Sequence, residues 1–161
     1  MSGSVAGAAA FDFDFPTEQE LERFAKDFAR ILSPPLVIWL EGDLGAGKTT
    51  FARGLIQALG YSGRVKSPTY GLLEYYQLEN QQVLHMDLYR IGDPGELEFL
   101  GIGDLLDGRT TLLIEWPEKG EGWLPKPDFV LAFSYAGEGR TLHLAACTPR
   151  AQTIATGLFN S

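Results

Sequence analysis

A glycine-rich segment, GDLGAGKT at residues 42–49, constrains the fold of this chain more than any other feature. It follows a short apolar run, LVIWLE at 36–41, which is typical of a buried parallel strand. After it, apolar residues recur at helical spacing, at Phe51, Leu55, Ile56 and Leu59. Gly60 follows them and is a typical residue to end a helix. The glycines, Lys48 and Thr49 satisfy the pattern G-x-x-x-x-G-K-[ST] in the strand–loop–helix context that it requires. The segment therefore predicts an α/β fold built around a phosphate-binding loop.

Each residue type in this loop has a chemical reason. Glycine lets the backbone adopt positive φ and approach an anion closely, so that N–H groups and the helix N-terminus point at phosphates. Lys48 supplies positive charge to the β- and γ-phosphate oxygens, and Thr49 supplies a hydroxyl ligand for Mg²⁺. The predicted nucleotide-binding residues of the loop are Gly42, Asp43, Leu44, Gly45, Ala46, Gly47, Lys48, Thr49 and Thr50. The chain contains neither N-K-x-D nor D-x-x-G, motifs expected of a guanine-specific GTPase, which favours ATP over GTP.

Two acidic residues at the ends of strand-like segments are candidates for a second metal ligand. Asp87 lies in QVLHMDLYR and Glu115 lies in TTLLIEW, and apolar residues precede each of them. Ligands of open α/β sheets bind at the carboxyl ends of the strands, so both side chains are expected to face the loop. The pattern does not rank the two, and either carboxylate is also compatible with a solvated strand end.

Two further positions are compatible with a place beside the nucleotide. Thr69 lies in VKSPTYG, between the helix after the loop and the next strand, where many P-loop proteins have a segment that senses the γ-phosphate. An ordinary turn into a strand explains Thr69 equally well. Trp116 follows Glu115, and its indole either stacks on the nucleotide or packs in the core, of which packing is the more favoured alternative.

The remaining segments predict a mixed, largely parallel sheet flanked by helices. FDFDF at residues 11–15 alternates apolar and acidic residues and predicts a short edge strand. Thr17 is the expected N-cap of an amphipathic helix that stops at Pro34. Two pairs of strand-like segments predict hairpins, YGLLEYYQL with QVLHMDLY and, as a C-terminal β-hairpin, FVLAFSY with RTLHLAAC.

The length of the chain, 161 residues, predicts a single P-loop NTPase domain over residues 1–161. No internal repeat and no linker rich in proline, glycine or serine divides the sequence. Residues 1–10 are small and carry little information, so they are expected to be flexible. Residues 149–161 are a tail to which the sequence assigns no structure.

Charge and composition argue against several classes of function. Thirteen basic and 21 acidic residues give a net charge of −8, whereas a domain that grips nucleic acid directly usually has a basic face. The closest basic grouping is only Arg64 with Lys66. The longest apolar run, residues 36–40, is too short to span a bilayer, so no membrane partner is expected. A single cysteine, Cys147, and the lack of a signal-peptide pattern at the N-terminus are typical of a cytoplasmic protein.

Several segments together resemble one known family. GDLGAGKTTFARG, VKSPTY, HMDLYR, ELEFLGI and IEWPE occur with the order and spacing of the bacterial TsaE (YjeE) family, from about Thr17 to at least Trp123. The resemblance implies a P-loop ATPase with ATP and Mg²⁺ as its ligands. It implies that Thr49 and Glu115 contact Mg²⁺, while Lys48 and the loop hold the phosphates.

The resemblance also implies roles for residues outside the loop. Asp87 is implied to act near the γ-phosphate or the attacking water, which leaves Glu115 as the metal ligand. Thr69 is implied to be a switch-loop hydroxyl, Trp116 to lie beside the nucleotide, and Thr17 to lie on the adenine side. Lys48, Asp87 and Glu115 are then the catalytic residues.

At the level of function, the resemblance implies an ATPase that supports turnover of two partners, a tRNA threonylcarbamoyl transferase and its paralogous subunit. These partners place a threonylcarbamoyl group on N6 of adenosine 37, and tRNA is expected to bind through them. Hydrolysis by the chain alone is expected to be slow. Two alternatives stay open. One is a small-molecule kinase, although the sequence has no arginine-rich insertion for a lid, and the other is a non-hydrolytic, nucleotide-gated binding module.

Overall fold

The computed structural model describes residues 9–65 and 73–159, apart from the side chain of residue 105. Its strands and helices are, in chain order, β1 (Ala9–Phe15), α1 (Glu18–Ile31), β2 (Leu36–Glu41), α2 (Lys48–Ala58), β3 (Leu73–Gln77), β4 (Gln82–Asp87), α3 (Glu96–Phe99), α4 (Ile102–Leu105), β5 (Thr110–Glu115), β6 (Phe129–Ala136), β7 (Gly139–Ala146) and α5 (Pro149–Thr156). Short 3₁₀ helices span Pro117–Gly120 and Gly157–Phe159. None of the helices in these two ranges is long and apolar enough to cross a membrane.

The strands form one seven-stranded sheet in the order β1-β7-β6-β2-β5-β4-β3. Its four central strands are parallel, because β2 pairs in parallel with both β6 and β5, and β5 pairs in parallel with β4. Antiparallel pairs complete both edges: β3 lies against β4, β7 against β6, and β1 against β7. The predicted mixed, largely parallel sheet, its two hairpins and the edge strand near the N-terminus are therefore confirmed.

Apolar clusters cover both faces of the central strands, which explains why their sequences read as nearly unbroken apolar runs. All residues of β5 are buried, for example. On one face, Phe28 of α1 packs edge-on against Phe51 of α2 and Phe129 of β6, with ring centroids 5.8 and 5.2 Å apart. On the other face, a second cluster joins residues of β4 and β5 to Leu97 of α3. Burial on both sides holds the central strands, and hence the loop after β2, in a fixed position.

Helix α1 begins as its sequence predicts. The hydroxyl of Thr17 accepts a hydrogen bond from the Glu20 N–H at 3.3 Å and so caps the first turn. The helix buries one stripe of residues at helical spacing: Leu21, Phe24, Ala25 and Phe28. Helix α1 packs against α2, and Thr17 at its capped end lines a cavity together with Gly45 and Gly47 of the glycine-rich loop.

The two ends of the described chain contain more structure than the sequence predicts. Strand β1 begins at Ala9, inside residues 1–10, which we expected to be flexible. Helix α5 occupies much of the tail, and its N-cap Thr148 accepts a hydrogen bond from the Ala151 N–H at 3.1 Å. Ala151 and Ala155 join the same core as α1. The burial of these two small residues stabilises α5, and a pair of alanines is too weak a pattern to predict a helix.

Candidate nucleotide-binding site

The glycine-rich loop connects the central strand β2 to helix α2, and strand β6 presses against it. Gly42 and Gly45 have φ angles of +136° and +79°, in the left-handed region that favours glycine. A Cβ atom on Gly42 would lie 2.5 Å from the carbonyl oxygen of Phe133, and one on Gly45 would collide with the Tyr135 hydroxyl. Larger residues at either position would therefore displace the loop or the strand.

Lys48 is the first residue of α2 and is only 4% exposed. Its Nζ donates a hydrogen bond to the Gly42 carbonyl at 2.5 Å and lies 3.5 Å from the centroid of the Trp116 ring. Burial lowers the pKa of Lys48, while the carboxylates of Glu115 and Asp87 act in the opposite direction. The loop thus contains a buried ammonium group held by a carbonyl oxygen, an aromatic face and nearby negative charge.

Asp87 and Glu115 end the neighbouring parallel strands β4 and β5 at the same register position. They therefore lie side by side at the carboxyl edge of the sheet. Glu115 is 2% exposed, whereas Asp87 is half-buried. Burial raises the pKa of Asp87; a hydrogen bond from the Tyr89 N–H at 3.0 Å lowers it, and the Glu115 carboxylate raises it further. An acid of this kind binds a proton more readily than an exposed aspartate does.

One cavity at this edge brings together most of the predicted site residues. Its lining residues are Leu44, Gly45, Gly47, Lys48, Thr49, Thr50, Asp87, Tyr89, Glu115 and Trp116. Of the other predicted loop residues, Gly42 contacts Lys48 through its carbonyl, Asp43 is exposed, and Ala46 is buried in the core. Residues from two strand ends and the glycine-rich loop therefore surround a single space, as expected for a ligand site of an α/β sheet.

Thr17 lies in an adjoining cavity that shares Gly45, Gly47 and Thr50 with the first. The structure does not bring Thr17 together with Asp87 and Glu115, but it places Thr17 next to the same loop. Thr69, the predicted switch-loop residue, lies outside the described residues.

Trp116 occupies an unusual backbone conformation directly after β5. Its φ of 59° is left-handed, and among the described residues it is the only non-glycine residue with positive φ. Its ring lies 4.9 Å from that of Tyr89, packs on the second apolar cluster, and also lines the cavity. Trp116 therefore combines core packing with a position in the site, and such backbone conformations often mark functional sites.

Sequence reasoning did not single out Tyr89, which lines the cavity, and it missed three further residues that contact the site. Tyr135 donates a hydrogen bond through its hydroxyl to the Leu44 carbonyl at 2.6 Å, and Arg140 Nε donates one to the Gly45 carbonyl at 3.2 Å. These partners are distant in sequence, so no local pattern indicates them. The third residue is His85, whose Nε2 lies 2.6 Å from a Glu115 carboxylate oxygen. A signal for His85 exists, because it is a polar residue in a buried strand and lies on the same face as Asp87.

The residues present are compatible with Mg²⁺ bound together with a nucleotide. Thr49 and Glu115 line the same cavity and offer a hydroxyl and a carboxylate, the oxygen ligands that Mg²⁺ prefers. No cluster of three His, Cys, Asp or Glu side chains suited to a metal occurs among residues 9–65 and 73–159. Mg²⁺ usually binds through one or two protein ligands plus substrate phosphates, and Thr49 and Glu115 offer two such ligands.

Together, the fold and this loop define an α/β protein of the P-loop NTPase class. The family model described as "Threonylcarbamoyl adenosine biosynthesis protein TsaE" matches residues 15–142 of the chain. The chain therefore belongs to the TsaE family, which confirms the resemblance noted in its sequence.

Individual relatives agree with this assignment. A Haemophilus influenzae protein named "tRNA threonylcarbamoyladenosine biosynthesis protein TsaE" is 43% identical over 150 residues, which cover 90% of this chain and 95% of that protein. A Bacillus subtilis protein of the same name is 38% identical over 120 residues, 74% of this chain and 75% of that protein. The crystal structure of YdiB from Bacillus subtilis superposes with a TM-score of 0.81 at 27% identity, covering 95% of this chain and 96% of that one.

Proposed function

We propose that this chain is an ATP-binding, slowly ATP-hydrolysing component of the machinery that makes N6-threonylcarbamoyladenosine at position 37 of tRNA. Its ATP hydrolysis supports turnover of a partner complex, the tRNA threonylcarbamoyl transferase with its paralogous subunit. The names of the relatives support the pathway. The observation that carries the nucleotide chemistry is the single cavity that the glycine-rich loop, Lys48, Thr49, Asp87 and Glu115 share.

In this proposal the loop and Lys48 bind the phosphates. The first amides of α2 lack partners within the helix and favour an anion, and Lys48 adds a buried positive charge at the same end. Lys48 then neutralises negative charge that develops on the transferred phosphoryl group. Thr49 and Glu115 would hold Mg²⁺, which supplies further neutralisation of phosphate charge. Trp116 and Tyr89 line the cavity beside these groups.

Asp87 acts on the attacking water in this proposal. Water forms the new bond to the γ-phosphorus, the bond from that phosphorus to the bridging oxygen breaks, and ADP leaves with its electron pair. The raised pKa of Asp87 suits a group that orients the water and accepts its proton. Among the residues that line the cavity in the described part of the chain, none is an arginine. The proposed slow hydrolysis by the chain alone is consistent with this, because an arginine that reaches the transferred phosphate accelerates such reactions strongly.

The first test is the substitution Lys48→Ala. We expect ATP binding, measured by titration calorimetry, to be lost, and phosphate release to fall by about 100-fold or more, the usual effect of removing one charge-stabilising group. Lys26→Ala, which removes an exposed lysine from α1, is the matched control and should behave like the unaltered protein. Normal ATP binding and hydrolysis by Lys48→Ala would rule out the proposed function.

The two alternatives have distinct outcomes in the same experiments. A protein with Asp87→Asn that binds ATP, cannot hydrolyse it and still supports full tRNA modification would favour a nucleotide-gated binding module. Transfer of phosphate to a metabolite faster than to water would favour a kinase. Loss of both hydrolysis and tRNA modification in Asp87→Asn supports the proposed ATPase.

A further inference from the structure

His85 forms a buried polar contact with one of the site carboxylates. His85 lies on β4, two residues before Asp87, and its side chain is 1% exposed. Its Nε2 is 2.6 Å from Oε2 of Glu115, whose side chain is 3% exposed. Hydrogen bonds to ionised groups are the stronger kind, and burial strengthens them further. The contact therefore restrains the Glu115 carboxylate.

The hydrogen-bonding capacity of the two groups determines the direction of this bond. A carboxylate that binds Mg²⁺ is ionised and can only accept hydrogen bonds, so in the metal-binding state the Nε2 atom of His85 carries the hydrogen. Its other ring nitrogen, Nδ1, has no hydrogen-bond partner among the described residues. Placing an imidazole in a strand core with one ring nitrogen unpartnered is unfavourable. The polar contact of His85 is therefore directed at Glu115 alone within the described structure.

We propose that His85 is a positioning residue for the metal site of this protein. It donates its Nε2–H to Oε2 of Glu115, so that one carboxylate oxygen is held and the other stays available to Mg²⁺ bound with ATP. A glutamate without this bond samples other rotamers, and ordering it on binding costs free energy. Partners of this kind orient ligand side chains in many metal sites. The inference rests on the proposed function, because it assigns Mg²⁺ and ATP to the site.

A purely structural role for His85 makes a different prediction. If the ring only filled space in the core, its replacement would change ATP affinity to the same extent with and without Mg²⁺. If His85 positions Glu115, its replacement weakens only the additional affinity that Mg²⁺ provides. The ratio of the ATP dissociation constant in EDTA to that in excess Mg²⁺ therefore separates the two roles without any measurement of hydrolysis.

The test measures this ratio by titration calorimetry for the full chain and three variants. His85→Met removes the donor and keeps an apolar side chain of similar size, and we expect the ratio to fall about 10–100-fold. His85→Gln keeps an N–H donor near the position of Nε2 and should retain most of the ratio. Glu115→Gln removes the proposed metal ligand itself and should lose at least as much as His85→Met. The double variant should lose no more than Glu115→Gln alone, because His85 acts only through Glu115.

Several outcomes would overturn the inference. In the first, His85→Met has the same ratio of ATP dissociation constants as the unaltered protein. In the second, His85→Met loses ATP affinity to the same extent in EDTA and in Mg²⁺. If His85→Met does not fold, His85→Asn is used in its place. The asparagine amide reaches the position of Nδ1 but not that of Nε2, so we expect the same fall in the ratio. Failure of the unaltered chain to bind ATP at all would overturn the proposed function and this inference together.

Discussion

Lys48 and Asp87 are ionisable site residues whose surroundings disfavour their charged forms. Lys48 and Glu115 are 4% and 2% exposed, and Asp87 lies half-buried beside Glu115. Burial lowers the pKa of Lys48 and raises that of Asp87. Such an arrangement lowers the stability of the fold and is a common property of functional sites. Substitutions in the site should therefore affect stability and function in opposite directions.

Replacing Asp87 by asparagine should stabilise the folded protein by about 1 kcal/mol at pH 7. The amide oxygen can still accept the Tyr89 N–H bond, and the cost of a buried charge next to Glu115 disappears. The pKa of Asp87 is raised in the folded protein, so protonation of Asp87 favours the folded state. This contribution to the free energy of unfolding is complete below the unfolded pKa of about 3.9 and is lost as pH rises through the folded pKa. The gain in Asp87→Asn should therefore be absent in acid and grow with pH.

Urea unfolding across this pH range measures the gain directly. Asp14→Asn, at an exposed position of β1, is the control and should show no gain that grows with pH. Equal or lower stability of Asp87→Asn at every pH would contradict the conclusion that the folded protein disfavours the charged form of Asp87.

At the scale of elements, the hairpin β6–β7 supports the phosphate loop from outside the strand–loop–helix unit. Tyr135 on β6 and Arg140 on β7 each donate a hydrogen bond to a loop carbonyl, and the guanidinium lies 4.4 Å from the Tyr135 ring centroid. The hydroxyl of Tyr135 also occupies the space that a side chain at position 45 would need. The hairpin thus restricts the conformation of the loop and preorganises its backbone for an anion.

Replacing Tyr135 by phenylalanine should weaken ATP binding about 2–10-fold, the equivalent of one hydrogen bond of about 0.5–1.5 kcal/mol. The melting temperature should change little, because Tyr135 is 51% exposed and its packing is retained. Calorimetric titration with ATP and thermal unfolding measure the two effects. Tyr75→Phe is the matched control, since it removes a hydroxyl from a tyrosine of similar exposure, 45%, on β3 at the opposite side of the sheet. Equal ATP affinities for both variants would show that the hairpin does not organise the loop.

At the scale of the whole molecule, sequence predicts those features whose determinants are local. The strand, loop and helix around Lys48 are contiguous and carry a spaced motif, so the sequence is sufficient to predict them. The pairing of Asp87 with Glu115 depends on the register of β4 and β5, which residue pattern alone does not provide. The contacts of Tyr135 and Arg140 join residues 91 and 95 positions apart, and only the folded sheet brings them together.

The net charge of −8 leads to a prediction for the whole chain. Direct tRNA binding requires basic side chains that displace counterions from several phosphates. This chain has 13 basic residues and 21 acidic ones, and we expect that balance to provide too little positive charge. We expect the isolated chain to bind tRNA with a dissociation constant above about 10⁻⁴ M, the weak end of non-specific binding. A filter-binding assay near physiological salt, about 0.15 M, measures it. With the proposed transferase complex and ATP also present, we expect immobilised tRNA to retain the chain. Micromolar binding by the isolated chain, with an affinity that falls steeply as salt rises, would instead place a tRNA-binding surface on this protein.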